Sequence, residues 1–153
     1  MDVIQLKVEP SQEADYSVLN IYVNQQPFIE WVKSYEMQFE PDIAGGYEGL
    51  DIEDFIDLEA HFLGRLTEDD RFNMEGKIQL LGCNCGIPGC WPFLVKITVH
   101  EDTIAWSDYE QPYRSEDSAG GHWNYSRLAP LEFDRQQYEE ELQHLTDMLA
   151  RKG

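Results

Sequence analysis

Four stretches of this chain place an apolar residue at every second position, and that alternation commits it to a fold built around a sheet. Ile4, Leu6 and Val8 lie on one side of the segment from Val3 to Val8, and Leu19, Ile21 and Val23 on one side of Val18 to Val23. Phe93, Val95, Ile97 and Val99 repeat the pattern between Pro92 and Val99, while Ile104 and Trp106 alternate with Ala105 and Ser107 between Thr103 and Glu110. Successive side chains of a strand point to opposite faces, so each stretch reads as a strand with one buried face. Turn-forming residues from Pro10 to Asp15 join the first two as a hairpin, and His100-Glu101-Asp102 turns between the last two. A strand from Lys77 to Leu81 completes a central meander.

Two segments carry the helical period instead. Pro27 suits a first helical turn, and Phe28, Trp31, Val32, Tyr35 and Phe39 follow at helical spacing, which predicts a helix over 27–38 ending before Pro41. Near the C-terminus Tyr138, Leu142, Leu145 and Leu149 trace one apolar stripe over 134–150, with Asp134 as N-cap and Gln137 placed as in a capping box. The expected fold is therefore α+β: an antiparallel sheet made of an N-terminal hairpin plus a central meander, with two packed helices. Residues 42–76 are harder to read, because Gly45-Gly46 and Gly49 interrupt the pattern; Ile52, Phe55, Ile56, Phe62 and Leu63 suggest a short amphipathic helix there. The stretch 111–130, with Pro112, Gly120-Gly121 and Pro130, reads as a structured loop with a short strand at Trp123 to Ser126.

No repeat or Pro/Ser-rich linker divides the chain, and 153 residues suffice for one domain over 1–153 with a self-sufficient core. Met1-Asp2-Val3-Ile4-Gln5 lacks a basic segment followed by an apolar core, and no apolar run reaches the ~20 residues that span a bilayer, so a cytoplasmic location is expected.

All three cysteines fall in the octapeptide Cys83-Asn84-Cys85-Gly86-Ile87-Pro88-Gly89-Cys90, within the connection between two meander strands. Zinc takes three or four soft or borderline ligands in a tetrahedron, and a tight turn bearing Cys83, Cys85 and Cys90 concentrates thiolates around one point. Gly86 and Gly89 permit the backbone conformations that turn N–H groups toward sulfur. Two other readings stand beside zinc: small thiols buried next to Trp91, and a Cys83–Cys90 disulfide, which a reducing compartment disfavours. The spacing CxCx4C resembles the zinc-binding post-SET segment of histone lysine methyltransferases over these eight residues alone, and there another part of the protein supplies the fourth ligand. His100, at the far end of a straight strand roughly 25 Å away at ~3.3 Å per residue, is poorly placed for that role; His61 and His122 could fold back to it, and a water or substrate atom in the fourth position would make the site catalytic.

Just downstream lies a group of residue types suited to anchor pockets: Trp106, Tyr109, Tyr113, Arg114, His122 and Trp123, a candidate binding face. The plainer alternative packs Trp106 in the core and lays Trp123 over a sheet edge. In so acidic a chain Arg114 is expected to pair with a carboxylate such as Asp108 or Glu110. Asp51 to Asp57 lacks the glycine and terminal Glu of a calcium loop. Asp57 and His61, four apart, could face one metal from a helix, although a solvated pair is the simpler reading. No phosphate loop, GxSxG elbow or HExxH helix occurs.

Thirty Asp and Glu against eleven Lys and Arg give a net charge of −19, which repels phosphate backbones and anionic lipid, so neither nucleic acid nor a membrane is an expected partner. The charge fits a solvated surface or a protein partner with a basic face, such as a cationic enzyme that the chain neutralises.

The order of landmarks also resembles an uncharacterised family of small bacterial proteins with a CxCGxxGCWP motif. It is carried by Val23-Asn24 before the Pro27 helix, by Ala44-Gly45-Gly46-Tyr47-Glu48-Gly49-Leu50, by Leu80 to Pro92, by Trp106-x-x-Tyr109-x-Gln111-Pro112-x-Arg114 and by Phe133-Asp134-Arg135-x-x-Tyr138, and it spans most of 20–140. The resemblance implies a bacterial cytosolic single domain and no particular activity. The sequence thus points to an acidic interaction protein; a zinc-dependent hydrolase using the cysteine loop is the alternative.

Overall fold

The computed structural model describes residues 1–11, 15–84, 91–113 and 123–152. The expected hairpin is present as β1 (Ile4–Pro10) and β2 (Ser17–Val23). Ile4 stands opposite Val23, Leu6 opposite Ile21 and Val8 opposite Leu19, a register that gathers the alternating apolar residues on one face. A two-residue strand β3 (Gln26–Pro27) folds back on the end of β2 and delivers Pro27 as the N-cap of α1 (Phe28–Glu36).

The chain continues through β4 (Tyr47–Asp51), a single 3-10 turn (Ile52–Asp54), α2 (Leu58–Phe62) and β5 (Asn73–Met74). β6 (Lys77–Cys83), β7 (Phe93–Val99) and β8 (Thr103–Glu110) form the central meander, followed by β9 (Leu131–Asp134) and α3 (Arg135–Lys152). The sheet order is β1-β2-β4-β6-β7-β8-β9, antiparallel throughout, with β3 beside β2 and β5 beside β6. Leu81 faces Phe93 across β6 and β7, so the cysteine octapeptide belongs to the connection of a hairpin. The α+β architecture with an N-terminal hairpin, a meander and packed helices matches the pattern of the sequence.

The two outer strands of the sheet also touch. Asp2, just before β1, bridges Phe133 of β9 in parallel; its N–H donates to the Glu132 carbonyl at 2.9 Å and its Oδ2 accepts from the Glu132 N–H at 2.9 Å. Curling the sheet onto itself in this way covers edges that would otherwise expose unpaired backbone groups. α3 lies across β1, β8 and β9 and holds this closure. Asp134 caps it as expected, its Oδ2 accepting from the Gln137 N–H at 3.0 Å. The Gln137 side chain is not the other half of a capping box: its Nε2 donates to the Ile4 carbonyl at 2.8 Å and its Oε1 accepts from the Ile4 N–H at 3.2 Å, tying helix to strand.

Three expectations are corrected. Residues 47–51 form a strand inside the sheet, and the amphipathic helix shrinks to α2, which leaves Ile56 exposed. Gly49 does not break β4 but admits it to the sheet, since a Cβ there would lie 2.4 Å from the Leu19 carbonyl oxygen. No strand forms at Trp123 to Ser126; the strand of that region is β9, immediately after Pro130. Among the described residues no helix is long and apolar enough to cross a membrane.

Candidate functional site

Of the predicted binding face, Tyr109 and Trp123 border one cavity of about 670 Å³ together with Asp108 and Glu110, but they expose little side chain to it. Trp106, Tyr109 and Trp123 are all buried, and of the described members only Tyr113 is exposed. Trp106 sits edge-on to Phe28 and Phe133, with ring centroids at 5.4 and 4.9 Å, and its Nε1 donates to the Tyr138 hydroxyl at 3.1 Å. Strand parity after Trp106 would aim Asp108 inward and Tyr109 outward. A bulge reverses this: Leu94 faces Glu110 but Lys96 faces Ser107, so β8 carries one residue more than β7, and Asp108 adopts φ 51°. Asp108 is thereby exposed and Tyr109 buried, its hydroxyl donating to the Trp106 and Ala129 carbonyls at 3.1 Å. Trp123 stacks on Phe39 at 5.5 Å. Arg114 and His122 lie outside the described residues. Glu110, one of the partners expected for Arg114, pairs with Lys77 at 2.8 Å.

Of the metal candidates, Cys83 ends β6 half-buried, whereas Cys85 and Cys90 lie outside the described residues. Among the described residues no three His, Cys, Asp or Glu side chains converge as metal ligands would. Asp57 and His61 do not share a metal or a solvated helix face. Asp57 caps α2, accepting from the Ala60 N–H at 3.1 Å, and His61 is enclosed by Phe55, Phe62 and Phe72 at centroid distances of 4.8, 5.3 and 5.5 Å. Nε2 of His61 is 2.8 Å from the Gln79 carbonyl, which can only accept, so Nε2 carries the proton.

Burial lowers the pKa of His61 to about 4. An unfolded histidine takes up its proton near pH 6.5, so between these values the unfolded state binds more protons than the folded one. Stability attributable to His61 is therefore full above about pH 6.5 and falls as pH drops toward 4, by roughly 3 kcal/mol in all. Urea midpoints at about pH 7.5 and about pH 5 should separate more widely in the wild type than in His61→Gln; equal separations would contradict the assignment.

The densest buried polar group is one that sequence reading missed. Glu36, with no exposed surface, receives hydrogen bonds from the hydroxyls of Tyr47 and Tyr125, both 2.5 Å from Oε2, and from the Gly45 N–H, 2.9 Å from Oε1. Gln111 Nε2 donates to the Tyr47 oxygen at 3.2 Å and to the Pro92 carbonyl at 2.8 Å. Burial raises the pKa of Glu36, against which the three hydrogen bonds pull downward, and burial together with the Glu36 charge raises both tyrosines. The tyrosines therefore remain donors, and three donors converging on two oxygens suit the acceptor-only carboxylate.

This cluster braces both ends of the cysteine connection. Cys83 is directly opposite Tyr47 in the β4–β6 ladder, and Pro92, at the other end, is held by Gln111. Sealed from solvent, it is suited to positioning rather than to proton transfer with a substrate. The signal that could have found it is Glu36 itself, eight positions beyond Phe28 and four beyond Val32 on the buried stripe of α1.

Comparison with protein-family models, with curated proteins and with solved structures found no match.

At the surface the carboxylates dominate. One groove of about 560 Å³ runs between the β7–β8 turn and α3, walled by Glu101, Asp102, Asp134, Glu139 and Glu140 against the single cation Arg135. A second, of about 620 Å³, lies between β2 and β4.

Proposed function

We propose that this chain is a non-catalytic acidic binding protein whose partner is a protein with a basic face. The observation that supports the reading is the excess of carboxylate left uncompensated by the fold: thirty Asp and Glu against eleven Lys and Arg. Three ion pairs form among the described residues, Arg71–Asp54, Lys77–Glu110 and Arg135–Glu139. Carrying so much like charge costs a compact state self-repulsion, and a cationic partner relieves it on binding. The expected residence is the cytoplasm, and a basic enzyme that the chain neutralises is one partner that would use this surface.

The immobilised chain, exposed to lysate of its source cells at low salt, should retain a basic protein that added salt releases. Retention that salt does not reverse, or no retained protein, contradicts the proposal.

A further inference from the structure

The ladder between β2 and β4 ends after two residue pairs, Val18 opposite Asp51 and Leu19 opposite Leu50. Beyond it β2 pairs with β3 through Tyr22 and Val23. The two strands pinch together at Gly49 and then part, leaving a cleft of about 620 Å³ that reaches from Ile21 and Ile29 to Asn84, at the mouth of the cysteine connection. Its apolar lining with exposed surface is Pro27 and the half-buried Ile29, the side chains of Val18 and Ile21 being buried; Glu9, Glu30 and Glu48 also line it, and no lysine or arginine does.

Two of the rim carboxylates are aimed by neutral donors. Glu9 Oε1 accepts from Asn20 Nδ2 at 2.9 Å and from the Tyr22 hydroxyl at 2.7 Å. Glu48 accepts from the Ser11 hydroxyl and, at 3.0 Å, from the Tyr16 hydroxyl. Neutral donors fix direction and leave the charge in place. Lys7 lies over the Tyr22 ring at 4.8 Å from its centroid, and the stem of Lys33 packs against Gly45 on the other wall. The hydrogen bonds from Asn20 and Tyr22, with a smaller contribution from Lys7, hold the Glu9 carboxyl below its usual range and so keep it ionised.

We propose that this cleft docks an extended, lysine- or arginine-bearing segment of the basic partner, the side-chain stem lying over Pro27 and Ile29 and the cationic head meeting Glu9, Glu30 and Glu48. A long cationic side chain needs both an apolar track and an anionic end, and the cleft supplies both. The groove beside α3 is more acidic, but apart from its one arginine its lining is glutamine and carboxylate, with no apolar floor. On this side of β2, Asn20 and Ile21 fall between the β4 and β3 ladders, a gap that suits a short extended segment. The inference rests on the acidic-binding reading and adds a location and a ligand form to it.

The test titrates the full-length chain at low salt with a short, unstructured arginine–serine peptide and follows backbone amide shifts. Shifts should concentrate at Asn20, Ile21, Gly45 and Gly49. The triple variant E9Q/E30Q/E48Q, which removes the three charges and keeps one acceptor oxygen at each position, should weaken binding about tenfold, and E139Q/E140Q should change it less than about twofold. Thermal unfolding checks that the triple variant is folded; Glu30→Lys, on the exposed face of α1, provides an independent charge reversal with the same expected loss. Shifts centred on α3 and residues 101–102, with the triple variant and Glu30→Lys binding normally, overturn the cleft and leave the acidic-binding reading standing. No peptide binding at low salt overturns the cleft as well, and the salt-reversible capture of a basic protein then decides the broader reading separately.

Discussion

Glu36→Ala should lower stability by roughly 3 kcal/mol, read as a fall in melting temperature of about 10 °C. The substitution leaves two tyrosine hydroxyls and the Gly45 N–H without their acceptor in a site closed to water. The gain from no longer burying a carboxylate offsets part of that loss. Glu36→Gln should cost about half as much, because an amide oxygen still accepts and the hydroxyls can rotate to accept from its N–H groups. The pH dependence gives a second check. Burial raises the folded-state pKa of Glu36 above the ordinary carboxylate range, so as pH rises the folded state holds its proton longer than the unfolded one. Wild-type stability from this group falls as pH rises through that window, while the glutamine variant has no such term. The penalty of Glu36→Gln should therefore shrink as pH rises. An alanine variant as stable as the wild type would show that the cluster does not hold α1, β4 and the Tyr125 segment together.

Gly49→Ala should be comparably damaging for a different reason. The added Cβ would stand 2.4 Å from the Leu19 carbonyl oxygen and 2.6 Å from Asn20 Oδ1. The asparagine side chain can swing away, but the carbonyl belongs to the β2 backbone, so the strands must separate where only two residue pairs join them. A loss of about 2–4 kcal/mol is expected from this overpacking. Denaturant midpoints measure it directly; a change below about 0.5 kcal/mol would mean that the β2–β4 junction yields without cost.

These two residues also show where sequence reading succeeds and fails. β1, β2, β7 and α3 are legible because one face of each meets the core and the apolar period follows. β4 is illegible for the reason that makes it work: glycine looks like a strand breaker in one dimension, and only the approach of Leu19, thirty positions earlier, shows why it is needed. β9 is masked by Pro130 before it and by a helix cap, Asp134, as its last residue. The burial of Tyr109 turns on one backbone angle. The positive φ of Asp108 shifts strand parity and turns Tyr109 into the core, and residue type alone does not announce such a bulge. Glu36 was legible in principle, as an acid on the buried stripe of α1, but its partners Tyr47 and Tyr125 lie 11 and 89 positions away, beyond the reach of any local period.

The claim that the acidic surface carries the function is tested most directly by the salt dependence of affinity for a captured basic partner. The account predicts that the dissociation constant rises at least about tenfold between about 50 and about 300 mM salt, and that neutralising the β2–β4 rim flattens the slope. An affinity that does not change with salt would contradict it.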